Sequence, residues 1–246
     1  MRRAIFLDRD GVINEKMPDG QYVTRWEEFH FLPGVAEAIR AFNDMGFLVV
    51  VVTNQRGIAK GLYTEEDLEG IHRKMCEEIE RAGGRIDAIY YCPHDIHENC
   101  NCRKPRPGMI LKAAEELGID LTSSYLIGDS ITDIQCGKEA GVGVNMLIRQ
   151  ESRVERRETK DERRESRVEG RVVPDIIVGC LEEAVDEIVR REARDRGRES
   201  RGKDQRLKVK DRGSEFRFER LDVWNKAMKW ADEIYSLTRR FPEEER

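Results

Sequence analysis

Two aspartates one residue apart, Asp8 and Asp10 in FLDRDGV, directly follow a short apolar run. Alternating residues of an extended segment can aim two carboxylates at one ligand, where they can hold a hard cation, attack as nucleophiles or move protons. Thr53 and Asn54 close a second apolar run (VVTNQ), Lys104 follows a third and its loop (NCRKP), and Asp129 and Asp133 follow a fourth (GDSITD). Polar groups at four strand ends, in order, form a constellation rather than a chance motif. Asp8 and Asp129 can share Mg²⁺ through oxygen ligands, with substrate phosphate and waters completing the octahedron. The cation and Lys104 then neutralise phosphate oxygens, so that one carboxylate can attack phosphorus to form an aspartyl-phosphate while another handles protons. Thr53 offers a hydroxyl and backbone donors to the phosphoryl oxygens.

A second cluster lies just before Lys104. CPHDIHENCNC reads as C-x-H-x5-C-x-C, with Cys92, His94, Cys100 and Cys102 as ligands and His97 as a spare histidine. Three thiolates and an imidazole suit tetrahedral Zn²⁺, and four protein ligands leave no open position, so the expected role is structural. Cys76, Cys136 and Cys180 stand alone and read as small apolar fillers.

The elements that must position these groups alternate in type. AIFL (4–7) and the β-branched FLVVVVT (47–53) read as strands covered on both faces, and VAEAIRAFNDM (35–45) as a helix. Thr64 to Arg81 is a helix with a Thr64/Asp67 start and a Gly83-Gly84 stop, and RIDAIYYC is the next strand. PGMILKAAEELG is a helix with Pro107 near its start and Gly118 at its end. SYLIGD, a helix to Ala140 and GVNMLI add a further unit, and 172–191 supplies a last strand and an amphipathic helix. Repeated βαβ units predict an α/β, Rossmann-like doubly wound parallel sheet with ligands at the carboxyl ends of its strands. Only 45 positions separate Asp8 from Thr53 and 51 separate Thr53 from Lys104. Core elements consume both intervals, so no cap domain is expected, and loops 9–32 and 92–105 must shape the site.

Composition divides the chain. Residues 1–148 carry 17 Lys and Arg against 24 Asp and Glu, an ordinary globular balance; 149–246 carry 27 against 25 in only 98 residues. The stretch 149–171 contains ESRVE twice and reads as a low-complexity insertion, either disordered or an isolated salt-bridged helix, with charges that cancel too nearly for an RNA-binding arm. A charged linker at 194–214 leads to a helical stripe of Leu221, Trp224, Ala227, Met228, Ala231, Ile234 and Tyr235. One helix cannot bury that stripe alone, so docking or self-association is expected. The net charge of -5 gives no support for a nucleic-acid partner, and no apolar run is long enough for a bilayer. Early acidic residues argue against a signal peptide, which predicts a cytoplasmic location.

The set D-x-D, T-N, Lys and G-D-x-x-x-D in this order resembles the haloacid dehalogenase (HAD) superfamily. More narrowly, LDRDGVIN, TNQRGIA, CPH…CNCRKPRPGM and LIGDSITD resemble the D-glycero-D-manno-heptose-1,7-bisphosphate 7-phosphatases over residues 1–148, resuming at 172–191. The resemblance implies Asp8 as nucleophile and Asp10 as general acid/base, with Mg²⁺ held by Asp8, the main-chain carbonyl of Asp10, and Asp129. It implies that Thr53 and Lys104 steady the phosphoryl group, that Arg103 recognises substrate, and that Asn54, Gln55, Arg56, Ser130 and the Asn14–Met17 stretch line the substrate. Asp133 then orients Lys104 rather than binding metal. Arg56 departs from the small residue usual in the family. The implied substrate is a small sugar phosphate, for nucleotide-activated heptose synthesis. Histidinol-phosphate phosphatase shares the zinc loop and Arg-Lys-Pro, but the PGMI continuation and the lack of an attached dehydratase domain favour heptose. The tail at 215–246 resembles the first helix of the four-helix-bundle family of ribosomal-RNA intervening sequences, which leaves a non-catalytic interaction protein working through that helix as the reading from another class.

Overall fold

A computed structural model describes residues 1–149 and 172–208, with side chains to Arg194. The insertion, apart from Arg149, and the apolar stripe of the tail lie outside the described residues. Six parallel strands form one sheet: β1 (Ala4–Leu7), β2 (Leu48–Asn54), β3 (Ala88–Cys92), β4 (Tyr125–Gly128), β5 (Val144–Ile148) and β6 (Ile176–Val178). Their order is β3-β2-β1-β4-β5-β6. The chain runs outward from β1 to β3, then returns to the other side of β1, so the direction of winding switches between β1 and β4. Ligand sites of doubly wound sheets lie at that switch, beyond the carboxyl ends. Asp8 and Asp129 are the first residues past those two strands.

Strand alternation splits the core in two. Ile5, Leu7, Val49 and Val51 face α1 (Val35–Asp44), α2 (Glu65–Arg81) and α5 (Leu181–Lys208), whereas Ala4, Phe6, Val50 and Val52 face α3 (Gly108–Leu117) and α4 (Ile131–Ala140). Each of the larger side chains, removed from water, contributes about 1.5–3 kcal/mol, which makes the strand ends rigid mounts for polar groups. Cys136 belongs to the second core, Cys76 packs against the first, and Cys180 is half-buried.

Local signals hold the expected boundaries with two differences. Thr64 and Asp67 form the reciprocal cap of α2, Ser130 and Asp133 do the same for α4, and Gly118 ends α3 in the left-handed region. The third strand begins at Ala88 rather than Arg85, because Asn43 Oδ1 takes the Arg85 amide and Asp87 Oδ2 takes the Val49 amide. The Asp87 amide still donates to the Val49 carbonyl, but the Asp87 side chain takes the place of a ladder carbonyl and the Arg85 amide is spent on Asn43. Helix α5 runs to Lys208, through the start of the expected linker, where Arg, Glu and Lys sustain helix propensity. The compact unit nevertheless ends at Glu192; a second unit spans Ala193–Arg246.

The long connection from β1 to α1 is packed rather than raised as a cap. Val12, Ile13, Val23 and Phe29 join the first core, and Trp26 stacks on Phe29 with centroids 5.1 Å apart. Immediately after Asp10 the chain turns sharply: the amides of Ile13 and Asn14 donate to the Arg9 carbonyl, with Gly11 at φ 92°.

Candidate active site

Lys104 organises the carboxyl end of the sheet. Its ammonium lies 2.8 Å from Asp8 Oδ1, 2.6 Å from Asp133 Oδ1 and 2.9 Å from the Val52 carbonyl, so all three N–H donors are committed. Asn54 clamps the Lys104 main chain from both sides, accepting from its amide and donating to its carbonyl. Asp133 is fixed in turn by the Ser130 hydroxyl (2.6 Å) and amide (3.0 Å). This commits Asp133 to Lys104 and the helix cap.

The carboxylates two residues apart stand in opposite surroundings. Burial pushes Asp8 up to about 7 against the pull of Lys104, and the neighbouring charges of Asp133 and Asp129 add to the rise. Burial would raise Asp10 as well, but the Arg9 guanidinium and bonds from Asn14 and Gln55 hold it below the usual carboxylate range. Both oxygens of Asp10 accept from Arg9 Nη2, at 2.9 and 3.0 Å.

Oxygens of Asp8, Asp129 and Asp133 come within 4.8 Å of one another, an oxygen-only donor set that fits Mg²⁺. Asp129 is also raised by burial, so the pair carries full charge comfortably only when a cation is added. Lys16, its side chain largely exposed, puts its ammonium 2.6 Å from Asp129 Oδ2 and takes part of that role. A side chain at Gly11 would run into the Asp129 carboxylate, so glycine keeps that space clear.

Cys92, His94, Cys100 and Cys102 converge as a second set. Sulfur–sulfur and sulfur–Nδ1 separations among them are 3.2–3.5 Å. Tetrahedral zinc, at about 2.3 Å to sulfur and about 2.0 Å to nitrogen, would place these atoms roughly 3.5–3.8 Å apart. The residues fit zinc. His97 lies outside the set, exposed on a 3-10 turn, Ile96–Glu98.

A cleft of about 580 Å³ opens over the strand ends. Asp8, Asp10, Thr53, Asn54, Arg103, Lys104, Asp129 and Ser130 line it together with Lys16, Asn99 and Arg106. Several expected lining residues sit elsewhere, and of the Asn14–Met17 stretch only Lys16 lines the cleft. Gln55 is buried, with Nε2 donating to Asp10 Oδ2 and Thr53 Oγ1, because its neighbours Thr53 and Asp10 offer acceptors inside. Arg56 turns to the zinc loop, where Nη2 and Nε meet Asp95 Oδ1 at 2.7 and 2.8 Å. Asn14 is also buried, donating to Asp10 at 3.0 Å. Sequence reasoning passed over Arg9, Tyr63 and His72, which back the site from below; His72 was detectable as the polar member of an apolar stripe with Leu68, Ile71, Met75 and Ile79.

A parallel sheet wound in this order, carrying an Asp-x-Asp on its first strand end and Thr, Lys and Asp on the next three, defines a hydrolase of the HAD superfamily. A family model described as HAD-hydrolase-like matches residues 101–176. The chain is 44% identical over 153 residues to D-glycero-beta-D-manno-heptose-1,7-bisphosphate 7-phosphatase of Yersinia pestis, covering 59% of this chain and 80% of that one. It is 42% identical over 151 residues to D-glycero-alpha-D-manno-heptose-1,7-bisphosphate 7-phosphatase of Campylobacter jejuni, covering 61% and 85%. The crystal structure of the D,D-heptose 1,7-bisphosphate phosphatase of B. bronchiseptica, complexed with magnesium and phosphate, superposes with a TM-score of 0.64 at 32% identity, covering 77% of this chain and 99% of that one. The chain belongs to the D-glycero-D-manno-heptose-1,7-bisphosphate 7-phosphatase family.

Proposed function

We propose that the chain is a Mg²⁺-dependent phosphatase that removes the 7-phosphate of a heptose 1,7-bisphosphate through an aspartyl-phosphate on Asp8. The observation that carries this reading is the placement of Asp8, against Lys104 and within reach of Asp129 at the switch point, with Asp10 two residues on lining the same cleft. Bound Mg²⁺, held by Asp8, the Asp10 main-chain carbonyl and Asp129, would supply the charge neutralisation that brings a phosphate dianion to a carboxylate. Asp8 attacks phosphorus while the bond to the sugar oxygen breaks. Asp10 gives that oxygen its proton, then takes one from the water that attacks the phosphoryl group and frees Asp8. The approaching dianion raises the proton affinity of Asp10, which suits it to arrive protonated with substrate. Thr53 holds a phosphoryl oxygen and Lys104 does so by exchanging its bond to Asp8 as that carboxylate turns to phosphorus, and Arg103 and Arg106 in the same cleft offer partners to a second anionic end.

Zinc is assigned a structural role. Cys102 immediately precedes Arg103 and Lys104, so the metal would fix the loop that aims both cations. The test is phosphate release from α- and β-heptose 1,7-bisphosphate beside histidinol phosphate, with and without Mg²⁺. Loss of the 7-phosphate, dependence on Mg²⁺ and abolition in Asp8→Asn are expected; preference for histidinol phosphate contradicts the substrate assignment. For the tail, deletion of 195–246 is expected to leave this activity intact.

A further inference from the structure

We propose that Tyr63 and His72, neither of which lines the cleft, are positioning residues that act on the reaction through Asp10; the inference rests on the phosphatase reading above. Two buried arms converge on the Asp10 carboxylate. In the first, Tyr63 OH donates to Gln55 Oε1 at 2.6 Å, and Gln55 Nε2 donates to Asp10 Oδ2 at 3.0 Å and to Thr53 Oγ1 at 2.9 Å. A glutamine amide has two faces, and the flipped form would point oxygen at a carboxylate. The ionised carboxylate, which only accepts, selects the form with Nε2 toward Asp10, and the Tyr63 hydroxyl secures that form by donating to Oε1. Burial pushes Tyr63 up to about 12, which keeps it a donor. Gly57 leaves room for the Tyr63 ring, which a side chain there would strike.

In the second arm, His72 Nε2 lies 3.3 Å from Arg9 Nη1, while Arg9 Nη2 reaches both oxygens of Asp10. Burial, with Arg9 beside it, drives His72 down to about 3, so the ring is neutral and Nε2 accepts from the guanidinium. Arg9 itself is only 1% exposed and its Nε is buried without a partner among the described residues. A buried guanidinium with an unpaired N–H costs stability. Packing alone gives no reason to keep it; aiming Asp10 does.

Asp10 protonates the leaving oxygen, so the arms should matter in proportion to how badly that oxygen needs a proton. A sugar alkoxide is a poor leaving group, whereas p-nitrophenolate departs without help. The experiment compares Tyr63→Phe, His72→Phe and His72→Gln on the heptose bisphosphate and on p-nitrophenyl phosphate. Expected is a fall in kcat of roughly tenfold for Tyr63→Phe and His72→Phe on the sugar phosphate, with KM little changed, while the pre-steady-state burst of p-nitrophenolate, released before Asp10 must activate water, stays within about twofold. His72→Gln, which restores an acceptor for Arg9, should recover much of the loss. In an Asp10→Asn background, neither Tyr63→Phe nor His72→Phe should lower the residual activity on the sugar phosphate further. Equal losses on both substrates, no loss on either, or additive losses in Asp10→Asn would overturn the proposal. The phosphatase reading fails separately, if the unmodified chain hydrolyses neither ester.

Discussion

Lys104→Met removes the ammonium and keeps most of its volume, so its effect isolates charge from packing. Lys104 and Asp133 are nearly fully buried, at 3% and 2% side-chain exposure, and no second cation meets Asp133 among the described residues. Breaking a buried pair by removing one partner costs about 3–5 kcal/mol. A second substitution, Asp133→Asn, removes the abandoned charge and keeps its shape. Urea unfolding of the single and double variants beside the parent, without Mg²⁺ at pH 7, is the assay. Lys104→Met should lose about 3–5 kcal/mol, and Lys104→Met with Asp133→Asn should recover at least about half of that loss. An equal loss in both variants would show that the lysine stem, not its charge, holds this end of the sheet, and would refute the reasoning.

Cys102→Ser should release zinc, raise KM for the bisphosphate about tenfold and leave the hydrolysis of p-nitrophenyl phosphate nearly intact, as metal analysis and kinetics would show; an unchanged KM in the zinc-free protein contradicts the role given to the loop. Gly11→Ala puts a methyl group into the Asp129 carboxylate at a positive φ, so it should cost about 1–2 kcal/mol and weaken Mg²⁺ binding measured by calorimetry. Asp129→Asn should abolish activity yet stabilise the Mg²⁺-free chain at alkaline pH. The folded pKa of Asp8 lies above its unfolded value, so the native state binds the extra proton and stability falls as pH rises from about 4 to about 7. Removing a neighbouring negative charge lessens that fall, and the gain in melting temperature should be larger at pH 8 than at pH 5.

The strand-end constellation was legible because Asp8, Thr53 and Asp129 close or follow apolar runs, with Lys104 one loop beyond the third, and parallel strands bring such positions to one edge. The cysteine–histidine set was legible for a similar reason, since its four ligands are close in sequence. What spacing could not show was the underside of the site. Tyr63, His72 and Arg9 come from three segments and meet only through the packing of α2 against the β1–α1 connection. Gln55 and Arg56 follow Asn54 in the chain, yet one points into the core and the other to Asp95, since the neighbourhood of a loop side chain depends on partners distant in sequence. The continuation of α5 past Arg194 was missed because its charges resemble a linker while its residue types favour a helix.

The stereochemical course at phosphorus tests the central claim most directly. Hydrolysis of an alkyl thiophosphate monoester carrying ¹⁶O and ¹⁸O, in ¹⁷O-labelled water, should proceed with net retention, because attack by Asp8 and then by water are two inversions. Net inversion would mean that water displaces the sugar directly, and Asp8 would then not be the nucleophile.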